Sequence, residues 1–246
     1  MTHPPRYFQR ILACPRDDAP RLLYANWLDG CGNPLGEFIR LQCLLATNLI
    51  SEPNMFYERR EQQLLADNRL NWSRAIAARA EWCSFRRGFV EEVSLTEKQF
   101  IQHAAELFQH APVVDVHLIS KGHRLGELPH VPPEDRTLFL DLSAHSIGDF
   151  GIERLVTAPL VSQLHGLNLS SCHISDMGLD ALIDSFDLDN LRELYLSDNQ
   201  ITDESIRRFV LSPLAEQLDV LDVRHNELSE DALEVLQRVL GDHVLC

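Results

Sequence analysis

Leu191-Arg-Glu-Leu-Tyr-Leu196, followed by Asn199 and Ile201, is the stretch on which the fold turns. Three other segments align with it without gaps: Thr137-Leu-Phe-Leu-Asp-Leu142, Leu164-His-Gly-Leu-Asn-Leu169 and Leu218-Asp-Val-Leu-Asp-Val223. Their starts, 137, 164, 191 and 218, lie 27 residues apart. Each is followed at fixed offsets by a polar or small residue and then an aliphatic one: His145/Ile147, Cys172/Ile174, Asn199/Ile201 and Asn226/Leu228. Four copies in constant phase define one supersecondary unit stacked on the next. In each extended segment, alternation sends residues such as Leu194 and Leu196 into the core and Glu193 and Tyr195 outward. The chain must then turn sharply, and the buried backbone groups of that turn need partners. Asn199 and Asn226 can both donate and accept there, as a ladder between neighbouring coils. Cys172 reads as a buried structural thiol at the same position, and His145 marks a looser turn at the start of the array.

A helix is expected after each turn. Gly148-Asp149, Ser175-Asp176, Thr202-Asp203 and Ser229-Glu230 supply caps or early acidic charge. Apolar residues follow at helical spacing, as in Leu179, Leu182, Ile183 and Phe186, or Leu233, Leu236 and Leu240. The pattern resembles the ribonuclease-inhibitor class of leucine-rich repeat. That resemblance implies an α/β solenoid, a horseshoe with a parallel sheet on the concave face and helices on the convex face. Two less regular copies precede the four: Val90-Glu-Glu-Val-Ser-Leu95 and Val113-Val-Asp-Val-His-Leu118, with a helix expected from Glu97 to His110 between them. Lys121 to Arg136 holds Gly122, Gly126, Pro129, Pro132 and Pro133 and reads as a loop. Six strands, centred near 93, 116, 140, 167, 194 and 221, are expected in one curved parallel sheet. One further period from Leu218 lands on Leu245, so His243-Val-Leu-Cys246 either pairs beside the strand at 221 or leaves a docking edge; pairing is the favoured reading.

Residues ahead of the repeats carry no such period. Asp17-Asp-Ala-Pro20 is a helix start with acidic cap candidates and proline in the first turn; Leu22, Leu23, Trp27 and Leu28 follow, and Gly30 and Gly32 end the helix. Pro34 opens another with Phe38, Ile39, Leu41 and Leu45, and a longer helix or helix pair is expected from Asn54 to Trp82. The sequence therefore divides into a helical module at 1–50, a connecting helix or pair at 51–84, and repeats at 85–246. The module would cover the open end of the solenoid. Asp17-Asp-Ala-Pro-Arg-Leu-Leu-Tyr-Ala-Asn-Trp-Leu28 and Gly36-Glu-Phe-Ile-Arg-Leu-Gln42 resemble the short repeat-companion domain of planctomycete and myxobacterial proteins, which implies a bacterial source. Asn26 departs from the aspartate usual in that family. Phe85-Arg-Arg-Gly-Phe-Val-Glu-Glu-Val93 resembles the start of the repeats in such proteins.

Composition narrows the function. The 246 residues carry a formal charge of −15, which argues against broad attraction to nucleic acid or anionic membranes. No apolar stretch approaches the roughly 20 residues of a membrane span. Met1-Thr-His-Pro-Pro5 has no signal-peptide character, and the six cysteines are scattered, which suits reduced thiols in a cytoplasm. His103, His110, His117, His123 and His130 are spaced by seven, seven, six and seven, but the run passes from helix to strand to loop and would not align them. Paired Cys-x-x-Cys, His-Glu-x-x-His, a phosphate loop and a Gly-x-Ser-x-Gly elbow are all missing, so neither metal, cofactor nor enzyme activity is expected. The resemblance makes the outward strand residues a binding surface. One column is Ser94, His117, Asp141, Asn168, Tyr195 and Asp222; the other is Glu92, Asp115, Phe139, Gly166, Glu193 and Val220. With Arg224 beside them, acids mixed with Phe139 and Tyr195 suit a protein partner carrying basic residues. A non-catalytic binding scaffold or adaptor is the reading. The alternative is a regulatory substrate or inhibitor of an effector enzyme such as a protease or nuclease.

Overall fold

The computed structural model describes residues 5–47, 55–133 and 136–245. The chain divides into two compact units, Met1–Ser94 with Ala105–Val114 and Leu95–Ala104 with Asp115–Cys246.

In the first unit, α1 (Pro5–Ala13), α2 (Asp18–Gly30), α3 (Pro34–Ala46), α4 (Met55–Trp72) and the single turn α5 (Arg74–Ala77) precede a hairpin of β1 (Trp82–Arg86) and β2 (Phe89–Thr96), whose last two residues belong to the second unit. The helix starts follow from the local sequence. Asp17 accepts from the Ala19 N–H, Asn33 accepts from Leu35 N–H, and Pro34 sits where a missing N–H costs nothing. Phe38, Ile39, Leu28 and Tyr24 are buried, and the Phe38 ring meets Trp72 at 4.7 Å between centroids. Asn26 accepts from the Arg40 guanidinium at 2.7 Å, so the departure from aspartate keeps a partner. Arg21, wholly buried, pairs with the equally buried Glu91 at 2.7 Å, and Arg87 reaches Glu91 at 2.6 Å. Burial pushes the Glu91 carboxyl above its usual range, against the pull of Arg21 and then Arg87.

The hairpin corrects the expected layout. The helical region ends before Trp82, and β2, which forms where the strand near 93 is expected, has an antiparallel partner, β1, that the repeat pattern does not place. The turn adopts left-handed backbone at Arg87 (φ 50°) and Gly88 (φ 91°). An arginine at such a position hides the usual Asn-Gly or Asp-Gly signal. It is held there by Glu91 and by the Arg16 carbonyl at 2.9 Å. Gly88 has no alternative, because a Cβ would lie 2.2 Å from Ile39. The helix expected over Glu97–His110 forms as α6, which is divided between the two units.

The second unit holds the repeats. β3 (Asp115–Ile119), β4 (Leu138–Asp141), β5 (Leu164–Asn168), β6 (Glu193–Tyr195), β7 (Val220–Asp222) and β8 (Val244–Leu245) pair in sequence order, all parallel. Leu140, Leu167, Leu194 and Leu221 stand in register and are 1% exposed or less, forming the inner row. The chain returns through α7 (Gly148–Leu155), α8 (Asp176–Ile183), α9 (Asp203–Phe209), α10 (Pro213–Gln217) and α11 (Glu230–Leu240). Lys121–Arg136 is a loop with one 3-10 turn at Leu125–Glu127 among its described residues. Phe186 is a correction: α8 stops at Ile183, so the ring is 93% exposed and outside the core row. Val244 and Leu245 pair with Leu221 and Asp222, which closes the favoured of the two tail readings; Cys246 lies outside the described residues.

Two side-chain ladders clip the coils together. Asn199 accepts from the Cys172 and Ile174 N–H groups at 3.1 and 3.0 Å, and donates to the carbonyls of Leu169, Leu196 and Ser197. Asn226 repeats the arrangement one coil on, accepting from Ile201 and donating to Leu196 and Val223. Cys172 donates its thiol to the Leu142 carbonyl, and burial pushes that thiol up to about 11, so it serves as a neutral donor. On the helix side Asp149, Asp176 and Asp203 each grip the next cap, Ser175, Thr202 and Ser229, accepting from both its N–H and its hydroxyl. The 27-residue phase of those aspartates carried this signal, which a reading of each as a local cap passes over.

Candidate functional site

On the outward face of β3 to β7 the register builds two columns. Asp115, Phe139, Gly166, Glu193 and Val220 are neighbours across the strands, and so are His117, Asp141, Asn168, Tyr195 and Asp222. Of the expected site residues, Glu92 and Ser94 lie in the first unit, where Arg86 pairs with Glu92 at 2.9 Å.

The centre of the face is aromatic, and a glycine makes it so. A Cβ on Gly166 would come within 2.3 Å of the Phe139 ring, so the ring lies across β5 in the space a side chain would take. It thereby meets Tyr195 of the next strand at 5.9 Å between centroids. Both rings are half-buried. Tyr195 donates its hydroxyl to Glu193 at 3.2 Å; burial, then the Glu193 charge, raises its pKa. His165 approaches the same carboxylate at 3.9 Å. The histidine was not among the expected site residues, because alternation along β5 puts Gly166 and Asn168, and not position 165, in the outward columns.

Carboxylates flank the rings. Asp141 and Asn168 spend one oxygen each on the N–H two residues ahead, Ser143 and Ser170, an arrangement that fixes their side chains beside the strand ends. His117 packs against His145 at 5.9 Å between rings, and His145 donates its Nδ1–H to the Ser143 carbonyl at 2.7 Å. At the far end Asp222 is only 3% exposed, because Arg224 folds over it with two bonds of 2.9 and 2.7 Å. The sequence reading left it open to solvent; the structure offers Arg224 there, which is exposed. Burial opposes the Asp222 charge, yet the Arg224 bonds outweigh it and hold the carboxyl below its usual range. The open part of the site is therefore Asp115, His117, Phe139, Asp141, Asn168, Glu193 and Tyr195, with Arg224 at one edge.

No group of three or more His, Cys, Asp or Glu among the described residues is placed to hold a metal ion, and no described helix is long and apolar enough to cross a membrane. No curated protein matches the sequence. A family model described as Leucine Rich repeat matches residues 164–182 and 189–210, the β5–α8 and β6–α9 coils, so the chain carries leucine-rich repeats there.

Proposed function

We propose that the protein is a non-catalytic scaffold that presents its repeat sheet to a protein partner with exposed basic side chains. The observation that carries this reading is the Phe139–Tyr195 pair seated over Gly166. Half-buried aromatics at the centre of a patch are the residues that most often anchor protein interfaces. Asp115, Asp141 and Glu193 around them supply the complementary charge for lysine or arginine, and the aromatic faces attract the same cations. Leucine-rich repeats generally mediate protein–protein contacts, which supports the class of function.

The same reading takes the array as a short horseshoe of the ribonuclease-inhibitor class, with β3–β7 lining its concave side. It takes the first unit as a repeat-companion domain and places the protein in a bacterial cytoplasm. The test is a triple substitution, Phe139→Ala, Tyr195→Ala and Glu193→Gln. A partner recovered with the wild-type chain should be lost from a variant whose circular dichroism and melting are unchanged. Full-strength binding by the folded variant overturns the assignment of the face.

A further inference from the structure

The first unit contains a cleft of about 440 Å³, within the size range of small-molecule sites. Its floor is apolar and buried: Leu35, Ile76, Phe85, Phe89 and Val90 are each 8% exposed or less. Its other polar side chains, Asn71, Arg74 and His110, are exposed, and the indole N–H of Trp72, buried without a hydrogen-bond partner, also lines it. No carboxylate lines it. That is a departure in a chain with 37 Asp and Glu against 22 Lys and Arg. The side chain of Arg74, the first residue of α5, makes no hydrogen bond or ion pair among the described residues, whereas the buried Arg21 guanidinium of the same unit is matched to two carbonyls and a carboxylate. A pocket that is apolar at the bottom and cationic at the mouth orients one kind of guest, with its hydrocarbon inward and its negative charge at the rim.

We infer that this cleft is a binding site for a small amphipathic carboxylate, with an aromatic or branched apolar body among Phe85, Phe89 and Ile76 and its carboxylate at Arg74 and His110. Phe8 and Trp72 complete the aromatic walls. Burying the body of such a guest supplies the affinity, and the rim selects the charge. The site is independent of the repeat face and does not rest on the reading of that face.

The test uses the full chain and three matched probes: 4-phenylbutyrate, 4-phenylbutanol and 4-phenylbutylamine. Trp72 is the only one of the three tryptophans that lines the cleft, so intrinsic fluorescence reports occupancy alongside calorimetry. Saturable one-to-one binding of phenylbutyrate is expected, about five- to tenfold tighter than the alcohol, with the amine weakest. Arg74→Gln should bring phenylbutyrate down to the level of the alcohol and leave the alcohol unchanged. Ala75→Phe, which fills the cleft, should abolish both; Arg74→Gln lies on an exposed position and keeps the test decisive if the filled variant does not fold. Equal affinity for acid and alcohol, an unchanged acid affinity in Arg74→Gln, or no saturable binding of any probe overturns the proposal.

Discussion

Replacing Asn199 with alanine removes one side chain and strands three backbone groups. The Cys172 and Ile174 N–H groups have their bonds only from Asn199 Oδ1, and the Leu169 carbonyl receives its bond from Asn199 Nδ2. The Leu196 carbonyl keeps Asn226, and the Ser197 carbonyl keeps the Ser171 N–H. Asn199 is 8% exposed, so the stranded groups have little access to water. At about 1–3 kcal/mol for each buried group left unsatisfied, the cost is roughly 3 kcal/mol or more. Asn226→Ala is the internal control. It strands two groups, the Ile201 N–H and the Val223 carbonyl, at a half-buried site, which puts its cost at about 2 kcal/mol, the low end of the same measure. Urea unfolding followed by circular dichroism gives both values, and hydrogen exchange locates them. The Cys172 and Ile174 amides should lose protection in Asn199→Ala before the rest of the sheet does. If Asn199→Ala costs no more than Asn226→Ala, or if those two amides keep their protection, the ladder is not what holds the coils together.

Leu194→Ala should cost roughly 2–5 kcal/mol by leaving a cavity in the inner row, whereas Glu193→Ala on the outward face should shift the urea midpoint little; equal effects would reverse the assignment of the two faces. The turns repeat a left-handed backbone at Ala144 (φ 59°), Ser171 (φ 56°), Asp198 (φ 57°) and His225 (φ 57°), so Ala144→Gly should raise stability by about 1 kcal/mol, and a loss on thermal melting would refute the strain. Burial opposes the Asp176 charge, but bonds from Ser205 and Thr202 outweigh it and leave the carboxyl below its usual range. A depressed folded pKa stabilises above the unfolded value, near 3.9, and that stability is lost as the pH falls through the folded value. Asp176→Asn should therefore be less stable than wild type at pH 6, and the gap should close as pH drops below about 4; a constant gap contradicts the role of the charge.

The repeats were legible because their period is carried by residues that cannot be exchanged freely. Leu194 and its neighbours fill a layer closed to solvent, and Asn199 must supply a donor and an acceptor at one point. The hairpin was not legible, because Arg87 occupies a left-handed position that glycine or asparagine normally marks, and what holds it there is Glu91 and the distant Arg16 carbonyl. Phe186 misled for the opposite reason: it keeps helical spacing, but α8 has already ended. In the site, strand alternation placed the columns, while the closing of Arg224 over Asp222 depends on side-chain lengths that period-two reasoning does not see. Nothing in the local sequence announces the cleft of the first unit, whose walls come from α1, α3, α4, α5, the end of α6 and both strands of the hairpin.

A photo-crosslinking amino acid placed at position 195, and in a second variant at position 186, tests the central claim most directly. Both positions carry an aromatic ring in the native chain, half-buried on the sheet face at Tyr195 and exposed beyond α8 at Phe186. In an extract of the native cells, a crosslinked protein partner is expected from position 195 and not from 186, and added Arg-rich peptide should compete with it. A partner captured only from position 186 would move recognition to the helix side and contradict the account.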